Sequence, residues 1–146
     1  MGADMDDAHG LCRLLMVADS AQYGFWQPIK GNNMGRKSQR KGADGERELA
    51  AILQEHGFDC SRGGSLSFGE VPDLSGLPGI HIEVKRVEKQ NIYEWMAQAH
   101  RDADKFRDGL PAVFWRKNRC PWLVVMDLRD WMILYQLGEK SDNARF

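Results

Sequence analysis

The sequence has no apolar run long enough to cross a membrane, since a spanning helix needs roughly 20 consecutive apolar residues. Its most apolar early stretch, LCRLLMV, follows two aspartates. A secretory signal would instead open with basic residues and end in a small-residue cleavage site. We therefore expect neither a membrane partner nor a secreted protein.

Cysteine is scarce, and its placement excludes two further classes of protein. The three cysteines, Cys12, Cys60 and Cys120, lie far apart and form no CxxC pair. An odd, scattered set argues against both a disulfide framework and a zinc site. It fits a reducing compartment, so a cytoplasmic location is expected.

A large excess of one charge sign is also missing, because the formal net charge is -1 at pH 7. Total charge therefore gives no sign of nucleic-acid binding. The distribution is more informative: basic residues cluster in RKSQRK (36–41), KRVEK (85–89) and RKNR (116–119). Such clusters are often ordinary solvated surface, so their position in the fold must decide between that role and phosphate contact.

The chain has the size and composition of one globular domain. It contains 146 residues, of which 42% are hydrophobic and 28% charged, as is typical of soluble domains. Residues 1–33 are acidic and without sustained periodicity. We expect them to form a poorly ordered N-terminal extension, and residues 34–146 to form the domain.

Periodicity predicts the elements of this domain. Apolar residues at helical spacing follow Asp44, and Gly57 closes that helix. A second helix is predicted over 91–107, and a third from Asp127, as its cap, to about Gln136. Strand patterns cover 58–61, 71–76, 80–87, 111–117 and 122–128. The order α-β-β-β-α-β-β-α predicts an α/β fold with a mixed β-sheet flanked by helices.

One predicted strand carries a carboxylate and an ammonium group on the same face. Glu83 and Lys85 are two residues apart, so both point away from the face that bears Ile82 and Val84. Asp73 lies one hairpin earlier, before the turn at 76–79. Cross-strand neighbours approach to about 5 Å, close enough for Asp73 and Glu83 to share one hard cation.

Two adjacent carboxylates favour a divalent metal site. They repel each other unless positive charge lies between them, and Mg²⁺ prefers oxygen ligands. Such an ion polarises a phosphoryl oxygen and makes water easier to deprotonate, and Lys85 would hold the attacking water or stabilise negative charge. Glu46 lies on the buried stripe of the first helix, where a carboxylate needs a partner. The candidate metal ligands are Asp73, Glu83, Glu46 and Val84.

These motifs resemble the archaeal-type Holliday junction resolvases and their phage relatives. The similar segments are KGADGERELAAILQEHGF, SRGGS, PDL and IEVKR. The resemblance implies the PD-(D/E)xK, restriction-endonuclease-like fold, with Glu46, Asp73, Glu83 and Lys85 as catalytic residues. It also implies functional roles for Arg62 and Ser65. The loop before Asp73 is longer here than in those enzymes.

Several other side chains were open to two interpretations. Basic residues near the predicted site would contact DNA phosphates without reading sequence. Gln98 either faces the site or is ordinary surface. The tryptophans at 95, 115, 122 and 131 suit core packing or a dimer surface better than base stacking. His56 and His81 have no partner at metal-ligand spacing, so we expect both to be structural. The predicted DNA contacts are Arg36, Lys37, Arg40, Lys41, Arg47, Arg62, Ser65, Arg86 and Lys89.

The sequence therefore predicts a Mg²⁺-dependent endodeoxyribonuclease, with Mn²⁺ as a possible substitute. The resemblance points to branched DNA, with four-way junctions first, and so to DNA recombination and repair in a bacterial or phage-infected cell. Paired cuts on symmetric strands suit a homodimer. Two alternatives stay open: a nuclease of this core acting on flaps, mismatches or linear duplex, and a non-catalytic DNA-binding module.

Overall fold

The computed structural model describes residues 36–63 and 70–143, with the side chains of 36–39 and 142–143 left aside. Within these ranges three helices and five strands follow one another in the order α-β-β-β-α-β-β-α. This order is the one that the periodicity predicts. The elements are α1 (Arg36–Glu55), β1 (Ser61–Arg62), β2 (Leu74–Ser75), β3 (Gly79–Arg86), α2 (Ile92–Phe106), β4 (Gly109–Arg116), β5 (Leu123–Val125) and α3 (Leu128–Asn143).

The five strands form one mixed sheet in the spatial order β1-β2-β3-β4-β5. Strands β3 and β4 are parallel over their whole length, from Gly79 opposite Gly109 to Arg86 opposite Arg116. Helix α2 makes the crossover between them, as parallel neighbours require. The other three pairings are antiparallel. The α/β fold with a mixed sheet and flanking helices is therefore confirmed.

Alternation along β3 separates two cores. Ile82 and Val84 pack with Leu49 of α1 in a cluster on one face of the sheet. On the other face, Val113 and Trp115 of β4 pack with α2 in a second cluster. His81, Glu83 and Lys85 point to this second face, as residues at odd positions of the strand must. The polar side of β3 therefore lies beneath α2 rather than in solvent.

Helix α1 begins eight residues earlier than the predicted start at Asp44, so the basic segment 36–41 is helical. Gly45 explains how this helix approaches the sheet so closely. A Cβ at this position would lie 2.9 Å from Cβ of Arg86 in β3. Because Gly45 has no side chain, α1 can lie against the carboxyl end of β3. Glu46, the next residue, is thereby brought close to β3.

The short strands differ most from their predicted bounds. The strand predicted at 58–61 is Ser61–Arg62, and that at 71–76 is only Leu74–Ser75. Helix α3 extends to Asn143, beyond the expected end near Gln136. Asp127 precedes α3, but its carboxylate contacts His100 Nε2 at 2.7 Å. The expected extension, residues 1–33, and Ser65 lie outside the described residues.

Helix α3 and strand β5 leave large apolar side chains exposed. β5 is the last strand of the sheet as described, and Val124 is 57% exposed. Trp131 stacks on Tyr135 with ring centroids 5.3 Å apart, and both rings are about half exposed. In the described ranges, no helix combines the length and the apolar character that a membrane span requires.

Candidate active site

Asp73 is held in place by the main chain of the neighbouring strand. Strand β2 pairs with β3 at Leu74 opposite Ile82, so within 36–63 and 70–143 the β3 backbone beyond that pair lacks a strand partner on this side. Asp73 Oδ2 accepts a hydrogen bond from Val84 N at 3.0 Å. The carboxylate thus takes the place of a missing ladder acceptor, and its position beside Glu83 is a consequence of the short strand.

Glu83 and Lys85 form an ion pair on the face of β3 that lies beneath α2. Lys85 Nζ is 2.6 Å from Glu83 Oε1, and it donates a second hydrogen bond to Gln98 Oε1 at 2.9 Å. The Glu83 side chain is only 4% exposed. Of the two interpretations of Gln98, the structure supports the one in which it faces the site.

Glu46 enters from α1 and meets Arg62 of β1. Arg62 Nε donates to Glu46 Oε2 at 2.7 Å, and both side chains are about three-quarters buried. This guanidinium is the partner that a carboxylate on an inward helix stripe needs. The sequence resemblance singled out both residues, and the fold brings them into contact across the 16 positions that separate them.

The three carboxylates influence one another electrostatically. Burial raises the pKa of Glu83 to about 7; Lys85 lowers it, and the charge of Asp73 raises it further. Burial also raises the pKa of Glu46. The hydrogen bond from Arg62 lowers this pKa, and the charge of Asp73 raises it. Asp73 therefore lies near enough to both glutamates for its charge to act on each.

This donor set fits a divalent cation. Glu83 is buried near the charges of Asp73 and Asp102, which raise its pKa, and of one ammonium, Lys85, which lowers it; burial is the main cause of the raised value. A hard cation with carboxylate ligands would offset the negative charge of these acids. Asp73 and Glu83 would hold such an ion. Val84 could add only its main-chain carbonyl, because its side chain lies in the core cluster beside α1.

Comparison with known proteins places the chain in a family. A sequence model of the family described as "Phage putative PDDEXK endonuclease" matches residues 37–144. The chain belongs to this family of phage PDDEXK endonucleases. The PD and ExK letters of that name stand here at Pro72–Asp73 and Glu83–Lys85. The prediction of a PD-(D/E)xK nuclease with the restriction-endonuclease-like fold is therefore confirmed.

Among solved structures, the chain is similar to that of Hjc, a Holliday junction resolvase from the archaeal hyperthermophile Archaeoglobus fulgidus. The sequences are 25% identical, and the match covers 59% of this chain and 72% of that one, with a TM-score of 0.44. A comparison with curated protein sequences gave no match.

Some basic residues of this PDDEXK endonuclease line a pocket, and several are paired with acidic side chains. Arg40, Lys41 and Arg86 line a shallow pocket of about 420 Å³, together with Asp44 and Asn118. Four of the predicted DNA contacts are paired with acids: Lys41 with Glu88, Arg47 with Asp44, Arg62 with Glu46, and Arg86 with Glu48. Lys89 is exposed beyond the end of β3. The side chains of Arg36, Lys37 and Ser65 lie outside the described part of the chain.

Glu48 joins several elements around this pocket. It accepts hydrogen bonds from Arg116 of β4 and from Trp122 Nε1, and it lies 3.8 Å from Arg86 of β3. Helix α1 is thereby fixed to the carboxyl ends of the two parallel strands. Trp122 has a structural role here, as expected, and Trp95 and Trp115 pack against each other in the core.

His81 lies near two acidic groups. The sequence shows no partner for it at metal-ligand spacing, and in the fold its ligand atom lies within 4.8 Å of those of Glu83 and Asp102. One signal was available in the sequence: His81 is two residues before Glu83, so a strand must turn both to the same face. Asp102 was not identifiable in that way, because its approach depends on how α2 is rotated over the sheet.

Proposed function

We propose that this PDDEXK nuclease is a divalent-metal-dependent, structure-selective DNA endonuclease, and that its substrate is the four-way Holliday junction. The observation that supports the nuclease mechanism is that Asp73 is hydrogen-bonded to the β3 main chain at Val84, directly between Glu83 and Lys85, which form an ion pair. The choice of junction DNA is supported by the likeness of the KGADGERE and IEVKR segments to the resolvase motifs.

Each residue has a distinct part in the proposed reaction. Asp73 and Glu83 would hold Mg²⁺, or Mn²⁺ in its place. The bound ion would polarise the scissile phosphate and make water more acidic. Lys85 lies at the edge of this carboxylate pair, where its ammonium would orient the attacking water or stabilise negative charge on the phosphoryl oxygens. Glu46, kept in place by Arg62, would accept a hydrogen bond from water at the same site.

The DNA backbone would approach along α1 and the carboxyl end of β3. Arg40 and Lys41 lie on the first half of α1, and Arg86 lies at the end of β3 that bears the site. Phosphate groups would compete with Glu88 and Glu48 for two of these cations, Lys41 and Arg86. Contacts of this kind position a duplex without selecting its sequence. The proposed contacts remain Arg36, Lys37, Arg40, Lys41, Arg47, Arg62, Ser65, Arg86 and Lys89.

A homodimer is proposed because resolution of a four-way junction needs two symmetric cuts. The exposed apolar side chains of β5 and α3 are the surface on which a second copy would dock. An unpaired edge strand with exposed apolar residues invites pairing with another chain. These residues are Leu123, Val124, Leu128, Trp131, Met132 and Tyr135, each between 42% and 74% exposed.

Nicking of a labelled junction in Mg²⁺ tests the catalytic assignment. Asp73→Ala and Lys85→Ala should each cut at least about a hundredfold more slowly than wild type, the scale typical of losing a main electrostatic contributor, while DNA affinity persists. Asp73→Asn repeats the test without a change of shape. Asp104→Ala and Lys140→Ala, at exposed positions of α2 and α3, are matched controls. Wild-type cutting by any of the three active-site variants would contradict the assignment.

Substrate choice needs a separate panel of matched junction, flap, mismatched and linear duplex DNA. We expect the junction to be cut fastest and symmetrically. Equal rates on all four would contradict the resolvase proposal and favour a general nuclease with this core. Metal-independent binding without any cutting would favour the non-catalytic alternative.

The dimer is tested by light scattering of Val124→Glu and Trp131→Glu at micromolar concentration, with Lys140→Glu as control. Wild type and control should have the mass of a dimer, and the first two variants that of a monomer. A monomeric wild type, with and without junction DNA, would overturn this part of the proposal.

The proposed place of action of the nuclease is the cytoplasm of a bacterial or phage-infected cell, in DNA recombination and repair.

A further inference from the structure

His81, Glu83 and Asp102 bring an imidazole and two carboxylates together on the side of β3 that faces α2. Their ligand atoms all lie within 4.8 Å of one another, and His81 and Glu83 are buried. We propose that these three residues form a second divalent-cation site, which takes Mn²⁺ or Zn²⁺ and shares Glu83 with the proposed catalytic site. This site goes beyond the proposed function, because its occupancy can be measured without any cutting of DNA.

The geometry of His81 is that of a metal ligand with its second nitrogen already fixed. Nδ1 donates to both oxygens of Asp108 at 2.9 Å, which leaves Nε2 as the free ring nitrogen. The side chain is only 1% exposed, and Nε2 has no hydrogen-bond partner among the described residues. Metal-binding histidines commonly donate their other N–H to a carboxylate in this way.

The spacing of α2 over β3 explains why these residues meet. Gln98 of α2 contacts Lys85, Asp102 lies by Glu83 and His81, and Phe106 stacks on His81 at 6.0 Å. A step of four helix residues advances about 6 Å, and a step of two strand residues about 6.6 Å. Positions 98, 102 and 106 therefore match 85, 83 and 81 in reverse order.

The charges around this point favour a cation. The carboxylates of Glu83 and Asp102 lie within ligand distance of one imidazole, and that of Asp108 accepts the hydrogen bond from its Nδ1. Lys85 is paired with Glu83. A divalent cation would balance the remaining negative charge.

The donor set also indicates which cation. Imidazole suits Zn²⁺ and other first-row transition ions, whereas Mg²⁺ and Ca²⁺ prefer oxygen ligands alone. Ligand atoms about 2.0–2.2 Å from one ion lie no more than about 4.4 Å apart. The observed spacing of up to 4.8 Å needs only a small movement of Asp102 on α2, the one partly exposed member of the three, to close around it.

Metal binding to the full-length, metal-free protein tests the proposal directly. In a calorimetric titration with MnCl₂, wild type should bind two ions per chain. His81→Gln and Asp102→Asn should each lose one of them, or bind it at least about tenfold more weakly. His56→Gln and Asp104→Asn, at exposed positions of α1's end and of α2, should behave as wild type.

The two proposals fail separately in this experiment. Asp73→Asn should lose the other ion and keep the one at His81. A single ion that is kept in Asp73→Asn and lost in His81→Gln would uphold the new site and contradict the proposed catalytic ion. A single ion with the opposite pattern, or two ions unaffected in both His81→Gln and Asp102→Asn, would overturn the new site.

Ring nitrogen NMR of wild type removes any dependence on variant folding. With saturating Zn²⁺, Nε2 of His81 should be unprotonated and shift as a coordinated nitrogen, while Nδ1 stays protonated. An Nε2 that remains protonated, or a ring unaffected by Zn²⁺, would overturn the proposal.

Discussion

The ammonium group of Lys85 lies 2.6 Å from Oε1 of Glu83, and both residues stand on one face of β3. For the ammonium to reach a substrate as well as Glu83, a second contact must orient it. Gln98 does so from α2, since its Oε1 accepts a hydrogen bond from Lys85 Nζ at 2.9 Å. In the proposed mechanism, Gln98 is therefore a positioning residue that acts through Lys85.

Replacement of Gln98 by leucine should slow cutting without weakening DNA binding. The side chain keeps much of its volume but loses the acceptor that directs Lys85, so we expect kcat to fall about tenfold or more, as when an orienting contact is lost. Gln98→Glu keeps an acceptor oxygen and should recover most of the rate. Single-turnover cleavage and DNA affinity measured side by side give the comparison.

Gln90→Leu, in the exposed turn after β3, is the matched control and should cut at the wild-type rate. If Gln98→Leu raises KM and leaves kcat unchanged, the residue contacts DNA rather than Lys85, and the positioning role is wrong.

The stability of the metal-free protein should fall as the pH rises from 5 to 8. The pKa of Glu83 is raised to about 7, chiefly by burial, so the folded chain holds a proton between about pH 4.5 and 7 that the unfolded chain releases. Unfolding is thus favoured as pH rises through this window, by up to about 3 kcal/mol. Burial opposes the charge on His81, but the hydrogen bond to Asp108 raises its pKa overall, and this adds a slope of the same sign.

Urea unfolding in EDTA at pH 5.5 and pH 8 measures this difference, and Glu83→Gln should reduce it. Added Mg²⁺ should stabilise wild type more at pH 8 than at pH 5.5, because a cation favours the ionised carboxylate. A metal effect of equal size at both pH values would contradict the assignment of Glu83 as a ligand.

Alternation along one strand was enough to predict that Glu83 and Lys85 share a face, because that is a property of any extended backbone. The order of elements could be predicted because the spacing of apolar residues differs between helices and strands. Gln98 and Asp102 could not be assigned, since the rotation of α2 over β3 is decided by packing of Trp95, Met96 and Ala99 against β4. The bounds of β1 and β2 were missed because two-residue strands depend on tertiary hydrogen bonds rather than on local pattern.

Removal of Arg62 should shift the pH dependence of cutting. Burial raises the pKa of Glu46, and the hydrogen bond from Arg62 opposes that rise. In Arg62→Ala the pKa of Glu46 should be higher still, so the acid limb of the kcat profile should move to higher pH. Saturating DNA separates this effect from any loss of DNA binding.

Arg47→Ala is a comparison variant for that experiment. Arg47 pairs with Asp44 and acts on Glu46 only through its charge, as the smallest of the contributions to its pKa. Its profile should shift less than that of Arg62→Ala. Superimposable profiles for wild type and Arg62→Ala would show that Glu46 does not have to be ionised for cutting.

Two glycines of α1 should respond in opposite directions to replacement by alanine. A Cβ at Gly45 would lie 2.9 Å from Cβ of Arg86, whereas at Gly42 it would meet nothing within 4 Å. Gly42→Ala should stabilise the protein by about 0.5–1 kcal/mol through helix propensity. Gly45→Ala gains the same propensity but must push α1 away from β3, and should cost about 1–3 kcal/mol net. Urea unfolding of the two variants at one pH measures both effects.

The same pair tests whether the close approach of α1 to β3 matters for the site. Glu46 follows Gly45 directly, so a displaced α1 moves this carboxylate away from Asp73. Cutting by Gly45→Ala should therefore slow even under conditions where the variant is fully folded, and Gly42→Ala should cut as wild type does. If Gly45→Ala is destabilised yet cuts at the full rate, Glu46 tolerates movement and its proposed hydrogen bond to water at the site is wrong.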